Sequence, residues 1–170
     1  MTSSQNDEHQ ELFLDDVWSI YFHDPDDRDW TINSYKKIAT VSSAEEFWGI
    51  HKMIRDYTNK GMFFIMREHV FPCWDDPTNI EGGCLSLMVP KDDVPQTWET
   101  YCVKMLTERL ARDEKMSDIV NGMSISPKND FCILKIWVRT GELNKIEDFD
   151  APDHTSGMFT LNRAKIASTT

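Results

Sequence analysis

Short segments of alternating apolar and polar residues divide the chain into predicted strands. Val17–His23 and Tyr35–Val41 carry the aromatic and β-branched residues typical of strands, and a turn-forming run from Asp24 to Asp27 ends the first of them. The same reasoning predicts further strands at Met62–Glu68, Cys84–Val89, Met123–Ser126, Phe131–Val138 and Met158–Ile166. No repeat or linker interrupts the pattern, so we expect one domain at residues 12–167 after a flexible acidic tail at residues 1–11.

Local signals predict two helices. Ser43 and Glu46 have the spacing of a capping box, which begins the first helix. Its predicted buried stripe consists of Phe47, Ile50, Ile54 and Tyr57. Trp48 lies about 100° around the helix from Phe47, at the border of this stripe or outside it. Asp93 as cap and Pro95 in the first turn begin the second helix. Its apolar face consists of Trp98, Cys102, Met105, Leu106 and Leu110.

The order of these elements predicts the fold class. Short connections between successive strands favour antiparallel pairing. Two amphipathic helices would then cover one face of one sheet, which gives an α+β fold with a single curved antiparallel β-sheet and helices packed on its convex face. The opposite face is left free to hold a ligand.

Composition and charge exclude several classes of function. The 170 residues are 40% hydrophobic and 28% charged, and the net charge of −11 argues against binding long nucleic acid through its backbone, although not against binding one nucleotide. No apolar run reaches the ~18 residues of a membrane span, and residues 1–10 lack a secretory apolar segment. The four cysteines have no zinc-site spacing, so we expect reduced thiols in the cytosol or nucleus.

The sequence holds none of the common catalytic motifs. G-x-S-x-G, the phosphate-binding G-x4-G-K-[ST], H-E-x-x-H and G-x-G-x-x-G are all absent, and the five histidines are scattered. We therefore expect no enzyme, no metal site and no cofactor.

Six tryptophans stand out as candidate functional residues. Trp18 and Trp137 lie in predicted strands and Trp98 on a helix face, where packing explains them. Trp30 and Trp74 lie in polar, acidic loops, where an indole either folds back onto the domain or contacts a ligand.

The carboxylate beside one of these loop tryptophans favours a ligand. Two parallel indoles can hold a flat cation between them, with ~2 kcal/mol or more of cation–π attraction when it is desolvated. Asp75, next to Trp74, could accept two hydrogen bonds from the edge of a guanine. N7-methylguanine has both the positive charge and this edge.

From Leu12 to Lys165 the chain resembles the mRNA cap-binding translation initiation factor 4E family. The features that carry the resemblance, in order, are Val17-Trp18 with Tyr21-Phe22, Trp30, Ala44 to Gly49, Phe71 to Asp76, Gly82-Gly83, Trp98, Gly122 to Trp137, Ser156-Gly157 and Asn162-Arg163. The family fold is a curved antiparallel sheet with the cap in its concave face and helices behind.

The resemblance implies a cap-binding site. Trp30 and Trp74 would stack on 7-methylguanine, Asp75 would take the role of a glutamate, and Trp137 would touch the N7-methyl group. The family's phosphate-binding bases are depleted, with Cys84, Asp130 and Ile133 at positions where basic residues are expected. Lys128 remains as the clearest basic residue, and the register of Lys135 is open.

The resemblance also implies partners. A scaffold or repressor protein would dock on the convex face at a surface made of Leu14, Ala44, Trp48, Thr100 and Val103. We expect a monomer, located in the cytoplasm or also in the nucleus, that binds the 5′ cap of mRNA and acts in translation initiation. The alternative is an interaction or repressor protein of the same fold with weak or no cap binding.

Overall fold

The computed structural model describes residues 10–152 and 155–163 of the chain. Within them, seven strands form one antiparallel sheet in the order β2-β1-β3-β5-β6-β4-β7. Their bounds are β1 Phe13–His23, β2 Lys36–Ser43, β3 Met62–Arg67, β4 Gly83–Pro90, β5 Val120–Pro127, β6 Phe131–Val138 and β7 Met158–Leu161. Although β3 and β4 follow each other in the chain, the β5–β6 hairpin lies between them in the sheet. Their connecting loop therefore crosses the ends of two strands.

Two helices cover one face of the sheet. α1 spans Ala44–Ile54 and α2 spans Val94–Leu106, and short 3-10 turns flank them. Between the helices and the sheet lies the main core, made of large apolar side chains such as Trp18, Ile65, Leu85, Trp98, Met105, Ile125 and Leu134. The predicted fold class, an α+β domain with one curved antiparallel sheet and helices on its convex face, is confirmed.

Arg67 ties the end of β3 to its neighbours on the helix side. Its guanidinium lies over the ring of Trp18, 4.5 Å from the centroid. It donates two hydrogen bonds to the carboxylate of Glu108, at 2.7 and 2.8 Å, and one to Asp16 at 2.8 Å. The backbone carbonyls of Val120 and of Ser117 take the remaining N–H groups. A buried charge is thus fully satisfied.

Several local expectations need correction. Tyr57 belongs to a 3-10 turn after α1 and is 59% exposed, so it is not part of the buried stripe. The hydroxyl of Ser43 accepts from the backbone of Glu46, but the Glu46 carboxylate accepts from the hydroxyls of Ser42 and Ser43, so only half of the capping box forms. Asp93 precedes α2, but its carboxylate accepts no capping hydrogen bond from the backbone of the helix.

The strand bounds also differ from the predicted ones. β1 begins four residues earlier than expected and β5 three residues earlier. The last strand ends at Leu161, and residues 164–166 of the predicted strand lie outside the described residues, as does most of the predicted tail.

Candidate functional site: a cleft on the concave face

Trp30 is held on the loop after β1 by the side chain of His23. The two rings stack with their centroids 3.9 Å apart and 3° between their planes. The ring nitrogens of His23 lie 2.8 Å from the carbonyl oxygens of Asp24 and of Asp29, so the loop fixes the histidine that supports it. Trp30 remains 53% exposed. One face of its indole is covered by His23, and the other is accessible.

The aspartates around Trp30 shape its loop. The carboxylates of Asp24, Asp27 and Asp29 each accept a hydrogen bond from the backbone N–H two residues further on, at 2.8 to 2.9 Å. Such local bonds stabilise turns without regular secondary structure. The backbone hydrogen bond from Thr31 lowers the pKa of Asp29. The acidic composition of this loop therefore has a structural cause.

A cleft of about 680 Å³ separates this loop from the loop that joins β3 and β4. Its lining includes Trp30, Ile32, Phe71, Cys73, Asp75 and Pro77. Its volume lies in the range of about 300–1,000 Å³ that is typical of small-molecule sites. The cleft has the volume to hold a nucleoside and combines an indole with a carboxylate.

Tyr35 packs beneath the cleft and joins its two walls. Its ring centroid lies 5.0 Å from that of Phe71, 5.5 Å from that of Phe64 and 6.2 Å from that of Trp30. Burial, together with the negative charge that Cys73 and Asp75 can carry, raises the pKa of Tyr35 to about 12. The phenol is therefore neutral at physiological pH.

The two neighbouring aspartates of the second loop have different surroundings. Asp76 is half-buried and accepts from the backbone N–H of Phe71 at 3.2 Å, and from both the backbone and the hydroxyl of Thr78. Asp75 is exposed at the cleft. Burial and a hydrogen bond to Asp75 raise the pKa of Cys73 to about 12, so the thiol donates to this carboxylate. Both carboxylates line the cleft, but Asp76 holds the loop through its hydrogen bonds, whereas Asp75 is the more exposed of the two.

Buried asparagines fasten this second loop to the sheet. The amide of Asn79 donates to the carbonyls of Phe71 and Cys73, at 3.2 and 2.9 Å. The amide of Asn121 on β5 donates to the side-chain oxygen of Asn79 at 2.8 Å, and that of Asn162 donates to its backbone oxygen at 2.8 Å. The loop segment that carries Trp74 is therefore anchored on both sides.

Trp74 lies against the sheet and not against Trp30. It is half-buried and packs on a second apolar cluster, on the concave face, that consists of Tyr21, Phe64, Met66, Val70, Cys84 and Trp137. Among the described residues, no ring contact joins Trp30 and Trp74. The two indoles do not contact each other directly, and their stacking on the two faces of a ligand stays a prediction.

Trp137 forms part of the floor under Trp74. It is buried, and its indole N–H donates to the hydroxyl of Ser124 at 3.0 Å. Its ring meets that of Phe64 edge-on at 6.4 Å. Packing thus explains its position, and contact with a ligand stays a prediction.

The family model of eukaryotic initiation factor 4E matches residues 13–151, most of the chain. The chain belongs to this family. Among its curated relatives, the initiation factor 4E-1 of Prunus domestica is 23% identical over 159 residues, which cover 88% of this chain and 66% of the relative. That of Glycine max is 25% identical over 134 residues, which cover 74% of this chain and 54% of the relative. The chain thus spans about half to two thirds of the length of these relatives.

Solved structures of 4E proteins share the fold. C. elegans eIF4E-3, in complex with the 4E-binding protein Mextli and a cap analog, aligns with a TM-score of 0.78 at 15% identity, covering 95% of this chain and 97% of that one. Ascaris suum eIF4E-3 with m7G cap aligns with a TM-score of 0.69 at 17% identity, covering 77% and 75%.

The predicted docking surface of this 4E-family chain centres on Trp48, which is 43% exposed on α1. Its ring packs edge-on against Phe47 at 5.3 Å and against His51 at 5.7 Å. The Glu99 carboxylate on α2 accepts from the side chains of His51 at 3.0 Å and Arg55 at 3.1 Å. This clasp joins the two helices that carry the surface.

The other residues predicted for this surface differ in accessibility. Val103 is 38% exposed, one helical turn beyond Glu99. Ala44 and Thr100 are half-buried, and the Thr100 hydroxyl donates to a backbone carbonyl of its own helix. Leu14 packs against the main core.

Lys128, the predicted phosphate ligand, lies away from the Trp30 cleft. It lines a separate depression of about 600 Å³ at the tip of the β5–β6 hairpin, together with Asp24, Asp26 and Lys60. Two of its neighbours there are carboxylates. The role of Lys128 as a cap-binding residue stays a prediction.

Sequence reasoning missed the residues that position the predicted ones. His23, Tyr35 and Asn79 hold Trp30, the two cleft walls and the Trp74 loop, and none of them was assigned a site role. The period-two pattern of β1 could have placed His23 on the same face as Tyr21. The contacts of Tyr35 and Asn79 depend on long-range packing and leave no local signal.

Within residues 10–152 and 155–163, no group of three His, Cys, Asp or Glu side chains could hold a metal ion. No helix in this part of the chain has the length and apolar character needed to cross a membrane.

Proposed function

We propose that this chain binds the 7-methylguanosine cap of mRNA in the Trp30 cleft and takes part in translation initiation in the cytoplasm. One observation carries the proposal: Trp30, backed by His23, presents a free indole face to a cleft that also holds Asp75. An indole face attracts a flat cation, and a carboxylate accepts both N–H donors of a guanine edge. 7-Methylguanine uses both groups at once, whereas uncharged guanine uses only the second.

Membership of the 4E family supports this ligand. C. elegans eIF4E-3 is described in complex with a cap analog and Ascaris suum eIF4E-3 with m7G cap, and both share the fold of this chain.

In the proposed complex, Trp74 leaves the concave-face cluster and covers the second face of the base. Because Trp74 is only half-buried on the cluster that includes Tyr21 and Trp137, its release exposes less apolar area than the release of a fully buried indole would. Asp75 then takes the guanine edge while Asp76 keeps the loop in shape.

We further propose that a scaffold or repressor protein docks at Trp48. The exposed indole and Val103 offer apolar contact area, and the Glu99 clasp keeps both helices rigid. Structures of C. elegans eIF4E-3 with a 4E-binding protein support an interaction of this kind. A pull-down of purified 4E-binding proteins by wild type and by Trp48→Ala tests it, and equal capture by both would remove Trp48 from the interface.

Titration with 7-methyl-GTP and with GTP tests cap binding. We expect tryptophan quenching by 7-methyl-GTP and at least ~30-fold weaker binding of GTP, since ~2 kcal/mol of cation–π attraction depends on the methylated base. Trp30→Ala should lose this preference. Trp98→Phe, which changes a buried indole on α2, is the matched control and should retain it. Equal affinity of wild type for both nucleotides contradicts the proposal.

A further inference from the structure

A buried histidine lies behind the indole of Trp30 and makes hydrogen bonds through both of its ring nitrogens. His23 ends β1, and none of its surface is exposed. Its Nδ1 lies 2.8 Å from the carbonyl oxygen of Asp24. Its Nε2 lies 2.8 Å from the carbonyl oxygen of Asp29 and 3.1 Å from the hydroxyl oxygen of Ser34. Each ring nitrogen therefore faces a backbone carbonyl.

All three of these oxygens are acceptors toward His23. A carbonyl oxygen can only accept a hydrogen bond, and the Ser34 hydroxyl already donates its one proton to the carbonyl of Thr31 at 2.7 Å. A neutral imidazole has one N–H donor and one bare nitrogen, whose lone pair would point at a carbonyl oxygen 2.8 Å away. The imidazolium has two N–H donors and satisfies both carbonyls at once.

The loop that carries Trp30 compensates a positive charge on His23. Residues 24–29 include four aspartates and one arginine, which gives a net charge of −3. Hydrogen bonds from Thr31 and, to a smaller extent, the charge of His23 lower the pKa of Asp29. The indole of Trp30 lies parallel to the imidazole at 3.9 Å and adds cation–π attraction.

The neighbours of His23 from other elements carry no charge at physiological pH. Met62 on β3 pairs with it across the sheet, and Ser34 belongs to a 3-10 turn. The ring of Tyr35 meets it edge-on at 5.1 Å, and burial raises the pKa of this phenol to about 12. The charge of His23 is therefore balanced by the acidic loop that it holds.

We propose that His23 is a doubly protonated imidazolium whose two N–H donors position Trp30 for the ligand. It is a positioning residue, because it contacts the indole and not the ligand. Loss of one proton would replace a hydrogen bond by repulsion between a nitrogen lone pair and a carbonyl oxygen, so the loop would shift and the indole would lose its fixed orientation. The dependence of ligand binding on this proton rests on the proposed cap binding, whereas the charge of His23 does not.

Nuclear magnetic resonance of the protein without ligand measures the charge. The 15N chemical shifts of an imidazole distinguish a protonated from a bare ring nitrogen, and the signals of His23 are those lost in His23→Phe. We expect both nitrogens of His23 to be protonated at neutral pH, and a bare nitrogen overturns the proposal. The same signals, followed to higher pH, give the pH at which His23 loses its proton.

Titration with 7-methyl-GTP across this pH tests the positioning role. His23→Phe keeps an aromatic ring behind Trp30 but donates to neither carbonyl. We expect it to bind about tenfold more weakly than wild type while His23 is protonated, and the two affinities to converge once that proton is lost. 7-Methylguanine itself can lose a ring proton, so the ratio of the two affinities is the quantity compared. His51→Phe, the matched control at a buried histidine between the helices, should follow wild type.

The outcomes separate this role from the cap-binding proposal. A ratio that stays constant as His23 loses its proton overturns the positioning role. If His23→Phe does not fold, hydrogen exchange of wild type decides: the protection factors of the amides at residues 24–31 must fall as His23 loses its proton, and unchanged protection overturns the role. If wild type binds no 7-methyl-GTP at any pH while both nitrogens are protonated, the cap-binding proposal fails and the charge of His23 stands.

Discussion

Asp75 and Asp76 are adjacent and chemically identical, yet only the substitution of Asp76 should lower the stability of the protein. Asp76→Ala removes the acceptor of three hydrogen bonds within the Trp74 loop, two from Thr78 and one from the backbone of Phe71. A hydrogen bond to a charged group contributes about 1.5–3 kcal/mol, and water replaces part of it at a half-buried carboxylate. We therefore expect Asp76→Ala to lower the free energy of unfolding by about 2–3 kcal/mol. For a chain of this size the melting temperature should fall by about 4–12 °C.

Asp75→Ala should leave stability nearly unchanged and affect the ligand instead. The side chain is exposed, and surface substitutions usually change stability by less than about 0.5 kcal/mol. Urea unfolding measured by circular dichroism gives the stability of both variants, and titration with 7-methyl-GTP gives their affinity. Asp75→Ala should weaken binding at wild-type stability, whereas Asp76→Ala should lower both. Equal stability losses, or the larger loss in Asp75→Ala, would refute the division of roles between the two carboxylates.

Two further predictions concern stability. Arg67→Gln should lower the free energy of unfolding by about 3–5 kcal/mol, because it removes a buried guanidinium and leaves the half-buried Glu108 carboxylate without its bidentate partner. The exposed pair of Arg139 and Asp118 should contribute at most about 1 kcal/mol. Urea unfolding of Arg67→Gln and Arg139→Gln compares the two pairs, and similar losses would contradict the prediction. Alkaline pH should destabilise the protein. The fold raises the pKa of Cys73 from 9.0 and that of Tyr35 from 10.0, each to about 12. The unfolded chain therefore releases these protons at lower pH than the folded chain, and stability falls as pH rises from about 9 to about 12. Unfolding measured across this range should show a smaller fall in Tyr35→Phe, and an unchanged slope would show that Tyr35 ionises normally.

Elements with a local cause could be predicted from the sequence. The start of α1 follows from Ser43, whose hydroxyl accepts from the backbone of Glu46 as expected. The strand β6 has its predicted bounds because its buried and half-buried residues alternate along most of its length. The prediction that Tyr57 belongs to the buried stripe was wrong because α1 ends at Ile54 and a 3-10 turn follows. The change in helix type rotates the following side chains off the stripe.

The arrangement of the candidate site depended on contacts that a sequence does not display. The stack of Trp30 on His23 forms only when the loop between them folds back. Three aspartates stabilise that loop through hydrogen bonds to its backbone, although in the sequence they look like ordinary solvent-exposed residues. The irregularity between Val120 and Gly122 in the β5–β6 ladder shifts the partner of Val138, and a count of residues from the hairpin turn cannot locate it. The order Asp75-Asp76 likewise does not reveal which carboxylate turns inward.

The loop that crosses from β3 to β4 makes the site a late product of folding. Its anchor from Asn121 to Asn79 joins residues 42 apart, and its anchor from Asn162 joins residues 83 apart. During synthesis the Trp74 loop leaves the ribosome before the β5–β6 hairpin on which it will rest. Contacts between distant residues form slowly, so the indole has no floor until the hairpin has entered the sheet. A ligand of this cleft therefore binds only chains whose sheet is complete, and it stabilises these chains without assisting any earlier intermediate.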